Sequence, residues 1–117
     1  MSYIYLASPY SDKSDLIRHE RFLKAMEVAA YMTRKGVTVF SPIVHNHEMA
    51  RRYKLPSDAE FWAKHNFAML RSASVMGILE LPGWQVSIGV KKEYNYARNL
   101  GLQIRQIPYP LEELSVL

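Results

Sequence analysis

The chain of 117 residues contains no cysteine. This absence excludes disulfide bonds, thiol nucleophiles and metal sites built from thiolates. The chain also lacks any apolar run that approaches the ~20 residues of a membrane span. No basic segment of the kind that begins a secretory signal peptide precedes the first apolar residues, so we expect a cytoplasmic protein that does not enter a membrane.

Acidic residues are fewer than basic ones, with 11 Asp and Glu against 15 Lys and Arg, which gives a net charge of +4. A positive charge suits a ligand that carries phosphate. The basic residues are scattered, with only short pairs such as Lys91-Lys92, and form no stripe interleaved with exposed aromatic residues. We therefore expect a small-molecule ligand rather than nucleic acid.

Metal-ligand clusters are also scarce. His45 and His47 lie close together, but no group of carboxylates matches them, so the sequence does not predict a zinc site. A hydrogen bond or a substrate contact is the more plausible role for His45. His19 and His65 are expected on helix surfaces. We expect no cofactor.

The apolar pattern alternates between short β-prone runs and helical stripes. Ser14, Ser57 and Ser87 are the expected helix N-caps, the second in a capping box with Glu60. The segment after Ser41-Pro42 is predicted to be irregular, with a short helix near residues 48–53, and the tail 111–117 to form one turn. The predicted strands are 3–7, 37–40, 74–81 and 102–107, and the predicted helices are 15–35, 58–72 and 88–100.

This alternation predicts one α/β domain over residues 1–117, a flavodoxin-like three-layer sandwich with a parallel sheet of about four strands. Right-handed crossovers then give the strand order 2-1-3-4. The loops after strands 1 and 3, residues 8–14 and 82–87, should face each other across a crevice where ligands bind.

Glu93 is the first candidate for chemistry, because it falls on the packing side of the last helix, with Gly89 and Ala97. A carboxylate there is costly unless it is hydrogen-bonded. A positioned carboxylate can act as a nucleophile, as in retaining glycosidases. A solvated glutamate beside Lys91 and Lys92 is the alternative.

The loop before this helix supplies further candidates. Ser87 suits an N-cap and also a contact to phosphate or hydroxyl through the free N–H groups of the helix. Gly89 permits close approach of a ligand. Trp84 is either a stacking surface for a base or sugar or a half-buried packing residue.

The first strand and loop add a second group. The hydroxyl of Tyr5 could reach the crevice, although core tyrosines are frequent in strands. Ser8, Tyr10 and Ser11 could hydrogen-bond phosphate or ribose. This loop has no glycine, so it is not a dinucleotide or Walker fingerprint.

Three segments together resemble the nucleoside 2-deoxyribosyltransferase-like superfamily, in particular its DUF1937 branch. They are Tyr5-Leu-Ala-Ser-Pro-Tyr10, Ser41-Pro-Ile-Val-His45 and the stretch from Leu81 to Ala97, which carries Gly-Trp-x-x-Ser-x-Gly-x-x-x-Glu. The last element is the most specific, and the resemblance spans nearly the whole chain.

The resemblance implies cleavage or transfer of the N-glycosidic bond of a 2-deoxyribonucleoside or its 5′-monophosphate. Glu93 would be the nucleophile and Tyr5 would orient it. Ser87 and the loop of residues 8–11 would lie where related deoxynucleoside 5′-monophosphate N-glycosidases hold phosphate. No metal or cofactor is implied, and a homo-oligomer, a dimer or larger, is expected.

One position departs from the superfamily pattern. Relatives usually carry an aspartate that contacts or protonates the leaving base, and Asn66 stands at the corresponding position. Asparagine can hydrogen-bond a base but cannot protonate it as a carboxylic acid does. His65 and Asp58 are possible substitutes. The alternative function is a non-catalytic nucleotide or sugar-phosphate binding protein on the same fold; an interaction protein would have no polar crevice.

Overall fold

The computed structural model of the protein describes residues 2–110. Within them no helix is long and apolar enough to cross a membrane. The turn expected in the tail, 111–117, lies outside the described residues. In chain order the elements are β1 (Ile4–Ala7), α1 (Asp15–Arg34), β2 (Val39–Phe40), α2 (Pro42–Tyr53), α3 (Ala59–Arg71), β3 (Val75–Leu79), a 3₁₀ turn (Trp84–Val86), α4 (Ile88–Asn99) and β4 (Gln103–Ile107).

The four strands form one parallel sheet in the order β2-β1-β3-β4, as predicted. β1 and β3 are the central pair, joined from Ile4 opposite Val75 to Ala7 opposite Ile78. Their chain connections lead away in opposite directions, so the carboxyl ends of these two strands form the switch point of the sheet. This arrangement confirms the three-layer α/β fold.

Each face of the sheet carries its own apolar core. On one face Phe22 and Val28 of α1 pack with Leu6 and Leu79 of the sheet. On the other face Leu70 of α3 and Val90 and Ala97 of α4 pack against the sheet, in a cluster that contains Tyr5 and Met76. Each fully buried side chain of this size contributes about 1.5–3 kcal/mol, so the two central strands are held rigidly from both sides.

The segment after β2 differs from the prediction, because α2 begins at Pro42 and is a helix of 12 residues. Ser41 caps it by accepting a hydrogen bond from the N–H of Val44, at 3.2 Å. A Ser-Pro pair can end a strand in a turn, but proline is also favoured in the first helical turn, where its missing N–H costs nothing. His45 and His47 therefore lie on a helix rather than in a loop.

Two further boundaries also differ. The N-cap of α3 is Asp58 rather than Ser57, since the Asp58 carboxylate accepts the N–H of Phe61 at 3.1 Å. β3 ends at Leu79, before the predicted limit of residue 81, because the N–H of Leu81 turns back to the carbonyl of Leu79. Ser14 and Ser87 cap α1 and α4 as predicted.

Candidate functional site

A cavity of about 580 Å³ opens at the carboxyl ends of the strands. The loop after β1 forms one wall, and the turn before α4 forms the facing wall, as the sequence predicted. The inner sides of α2 and α3 close the remaining sides. The predicted residues that line this cavity are Ser8, Tyr10, Ser11, Asn66, Ser87, Gly89 and Glu93.

Glu93 is the buried acid of this cavity. Its side chain is 8% exposed, although it lies on the cavity wall. The Tyr5 hydroxyl, itself fully buried in β1, donates a hydrogen bond to Glu93 Oε2 at 2.5 Å. The bond joins a strand to the facing helix, so it fixes the direction in which the carboxylate points. Tyr5 and Glu93, both candidates from the sequence, are therefore in direct contact, while Tyr5 itself does not line the cavity.

The burial changes the acidity of both groups. Loss of solvent raises the pKa of Glu93 to about 7, and the hydrogen bond from Tyr5 offsets part of that rise. Burial, together with the neighbouring Glu93, raises the pKa of Tyr5 well above its usual value. Tyr5 therefore stays a hydrogen-bond donor at all physiological pH values. Glu93 changes between acid and carboxylate near neutrality, the range suited to catalysis.

Ser8 is unusual among the polar residues of the cavity. The residue is 8% exposed, its hydroxyl is buried, and Ser8 Oγ has no hydrogen-bond partner among the described residues. Such an unpaired buried hydroxyl costs about 1–3 kcal/mol. Because Ser8 lines the cavity, a ligand atom can supply the missing partner.

The amino end of α4 lies at the same cavity. Ser87 caps the helix, accepting the Val90 N–H at 3.2 Å, and its own hydroxyl proton stays available for a ligand. Free N–H groups and the helix dipole favour an anion at this end. A side chain on Gly89 would meet Ala59 Cβ at 3.7 Å, an ordinary contact, so packing alone does not require glycine there.

Two cations line the cavity that sequence reasoning did not single out, Arg21 and Lys92. The Arg21 guanidinium donates hydrogen bonds to the backbone carbonyls of Tyr10 and Ser11, at 3.2 and 3.1 Å. A side chain on Gly83 would lie 3.2 Å from the same guanidinium, so Arg21 also reaches the facing wall. Arg21 lies on α1, which carries no other residue of the cavity wall, and its spacing from the loop gave no sequence signal.

A pair of histidines outside the cavity wall supports Tyr10. Its hydroxyl lies 2.6 Å from His47 Nδ1, and His47 Nε2 lies 3.2 Å from His19 Nδ1. His47 is buried and stacks on Phe22, and its burial lowers its pKa. Neither His19 nor His47 lines the cavity. Contrary to expectation, His19 is therefore part of a packed cluster rather than a free surface residue.

Two predicted ligand contacts lie elsewhere. Trp84 lines a separate cavity of about 770 Å³ between α4 and β4, and it packs against the core that contains Tyr5. The 3₁₀ turn directs the Trp84 ring toward this packed side of the loop, so the packing alternative describes its position. His45 is exposed, does not line the cavity, and stacks on His65 with ring centroids 4.9 Å apart.

Asn66 lines the cavity and belongs to a group of amides and imidazoles. Asn46 of α2, which sequence reasoning missed, also lines the cavity and donates from Nδ2 to Asn66 Oδ1 at 3.2 Å. His45 Nδ1 lies 2.6 Å from Asn46 Oδ1. Asp58 lies on the cavity wall but is occupied as the cap of α3, whereas His65 Nδ1 is 3.5 Å from Asn66 Oδ1.

No three His, Asp or Glu side chains in the described part of the chain converge on a metal position. The arrangement is instead a polar cavity with one buried acid, one unpaired hydroxyl, a helix amino end and a paired amide. A comparison with curated proteins finds no match. The sequence model of the family described as "Domain of unknown function (DUF1937)" matches residues 2–107, and the chain therefore belongs to that family.

Proposed function

We propose that the protein breaks the N-glycosidic bond of a 2′-deoxyribonucleoside 5′-monophosphate, or of the nucleoside, with Glu93 as the nucleophile. The observation that carries the proposal is the buried Glu93 carboxyl on the cavity wall, oriented by Tyr5 and ionising near pH 7. The sequence resemblance to nucleoside 2-deoxyribosyltransferases supports the same reaction.

The reaction would proceed in two displacements. A Glu93 carboxylate oxygen attacks C1′ of the sugar, the C1′–N bond breaks, and the base leaves with the bonding electrons. Water or a second base then attacks C1′ and releases Glu93. A carboxylate at this position also stabilises the positive charge that develops on the sugar. The Tyr5 hydroxyl keeps the attacking carboxylate in one orientation through both steps.

The amino end of α4 would hold a 5′-phosphate. Its free N–H groups and the Ser87 hydroxyl are donors, and the unpaired Ser8 hydroxyl supplies another on the facing wall. Lys92 on α4 and Arg21 on α1 add positive charge to the same cavity. We therefore prefer the monophosphate to the free nucleoside as the substrate.

Ser8→Ala is expected to weaken binding of the monophosphate while leaving the free protein as stable as before, or up to about 1 kcal/mol more stable. The reason is that Ser8 Oγ loses no partner in the free protein but loses the phosphate in the complex. KM for a deoxynucleoside monophosphate should rise about tenfold, with little change for the nucleoside. Steady-state kinetics on both substrates measures this, with Ser72→Ala, at an exposed serine outside the cavity, as the control. Equal effects on the two substrates would refute a phosphate contact.

We also propose that a second copy of the chain covers the mouth of the cavity. Val86 and Ile88 line it, yet 82% and 70% of their surfaces are exposed. Exposed apolar side chains grouped beside a polar site are candidates for a surface that a partner buries. Light scattering should give a dimer or larger assembly, and Val86→Asp with Ile88→Asp should reduce its mass. A monomer in the wild type would end this proposal.

The cytoplasm, where nucleotides are made, is the proposed location.

The deciding experiment is incubation of the protein with deoxynucleosides and their monophosphates, followed by chromatography of the free base. Release of base by the wild type supports the enzyme. A shift in melting temperature or a heat of binding with no release would instead favour a nucleotide or sugar-phosphate binding protein. The position of Asn66, where the superfamily has an acid, is the reason to keep that second function.

A further inference from the structure

The amide of Asn66 has a direction that its neighbours impose. An amide oxygen only accepts hydrogen bonds, so the orientation of Asn46, with Oδ1 2.6 Å from His45 Nδ1, matches the His45 tautomer that carries its hydrogen on Nδ1. Asn46 Nδ2 then donates to Asn66 Oδ1 at 3.2 Å. His65 Nδ1 lies 3.5 Å from the same Asn66 oxygen. The oxygen of Asn66 is thus directed at its neighbours, away from any ligand.

The nitrogen of Asn66 is left for the cavity. Asn66 Nδ2 has no partner among residues 2–110, and the residue lines the cavity. Turning over the Asn66 amide alone would place its NH₂ group against the NH₂ group of Asn46 and break the hydrogen bond between the two residues. Hydrogen bonds in a chain polarise one another, so donation to Asn66 Oδ1 strengthens the donors at Nδ2. The cavity that holds Glu93 therefore also presents the N–H donors of Asn66, and an amide at this position cannot transfer a proton as a carboxylic acid does.

The identity of the leaving base rests on the proposed function. We propose that the base leaves as an unprotonated anion held by Asn66, and that the substrate is a deoxynucleotide of a 2,4-dioxopyrimidine. The C1′–N1 bond breaks with both electrons passing to N1, while the Glu93 oxygen bonds to C1′. The negative charge spreads over the ring carbonyls, one of which accepts from Asn66 Nδ2. Water hydrolyses the sugar–Glu93 ester and supplies the proton that the base takes up in solution.

Aminopurines are disfavoured by the same geometry. An adenine-type base leaves readily only after a ring nitrogen is protonated, which requires an acid beside it. Asn66 cannot supply that proton. Among the other carboxylates on the wall, Asp58 is engaged by the Phe61 N–H and Asp12 by the Ser14 N–H, at 3.1 and 2.9 Å. Glu60, in the first turn of α3, is exposed to solvent and so lacks the burial that would keep it protonated near pH 7. A dioxopyrimidine needs no such acid, because its own carbonyls take the charge.

The test compares leaving groups that differ in acidity. Single-turnover release is measured for the monophosphates of 2′-deoxyuridine and its 5-methyl and 5-fluoro derivatives, and for deoxyadenosine monophosphate. The acidity of the pyrimidine N–H rises from 5-methyl to unsubstituted to 5-fluoro. The wild-type rate should rise at least about tenfold across that series, as expected when negative charge stays on the base, and the adenine substrate should be slowest.

Two variants sharpen the result. Asn66→Asp supplies an acid, so the rates across the series should converge and should fall as the pH rises through the ionisation of that acid.

Asn46→Asp replaces the donor to Asn66 by an acceptor, which turns the Asn66 oxygen toward the cavity. Its kcat for the 5-methyl substrate should fall about tenfold, more than for the 5-fluoro substrate. Unchanged melting temperatures establish that both variants fold.

The outcomes separate this inference from the function on which it rests. Equal rates across the pyrimidine series, or fastest release of adenine, would overturn the anionic leaving group while leaving the enzyme in place. Release that Asn46→Asp slows equally for all substrates would assign Asn46 a structural role only, against the inference. No release from any substrate would reject the proposed function and this inference with it.

Discussion

Glu93→Gln should lower the rate of base release at least about 10³-fold, because the amide cannot form the bond to C1′. Glutamine has nearly the same shape, and its side-chain oxygen can still accept the hydrogen bond from Tyr5. KM should change little, since phosphate and base contacts lie on other residues. Chromatography of released base under single-turnover conditions gives the ratio of the two rates. The wild-type rate should itself fall below pH 7, as the Glu93 carboxylate is protonated.

A nucleophile can be distinguished from a residue that only shapes the cavity. Glu93→Ala opens space beside Tyr5, and added azide or formate can enter it and attack C1′ in place of the missing carboxylate. Rescue of base release by these anions, with a glycosyl azide as the product when azide is added, would assign attack to Glu93. Glu20→Gln, at an exposed position of α1, is the matched control and should keep full activity. Equal release by Glu93→Gln and the wild type would contradict the mechanism.

The sequence was sufficient to place the central parts of the fold and site. Alternating apolar patterns determined the strand order, since short parallel strands and right-handed crossovers leave few arrangements. The caps at Ser14 and Ser87 depend on local hydrogen bonds, which local sequence specifies. Glu93 could be found because a carboxylate on the packing stripe of a helix requires a reason. Its donor, Tyr5, required the topology as well.

Other parts could not be read from local patterns. Asn46 became visible only when α2 was seen to begin at Pro42, which turns this residue toward Asn66. Arg21 reaches the cavity from the second turn of α1, and no spacing rule connects it to the loop that it holds. Trp84 had the composition of a ligand contact, but a 3₁₀ turn sends its ring to the core. In each case long-range packing decides where the side chain lies.

The burial that raises the pKa of Glu93 also lowers the stability of the folded protein when this carboxyl is ionised. The pKa of Glu93 is about 7 in the folded protein against 4.5 for an ordinary glutamate. Below pH 4.5 Glu93 is protonated in both the folded and the unfolded chain, so its burial lowers the free energy of unfolding by nothing. As the pH rises to 7, the unfolded chain releases this proton while the folded chain keeps it, so stability falls. Above pH 7 the loss levels off at about 3 kcal/mol, the product of the shift and 1.36 kcal/mol per unit.

Glu93→Gln removes this titration and should therefore stabilise the protein in alkaline solution. Measured by urea unfolding, the difference in free energy of unfolding between variant and wild type should grow by about 2–3 kcal/mol from pH 5 to pH 8.5. The lowered pKa of His47 affects both proteins and cancels in the difference. Glu20→Gln should show no such trend. A difference that is the same at both pH values would mean that Glu93 ionises normally, and the neutral-pH nucleophile would lose its physical basis. A growing difference together with lost activity would show that the wild-type chain retains a destabilising carboxylate because the reaction requires it.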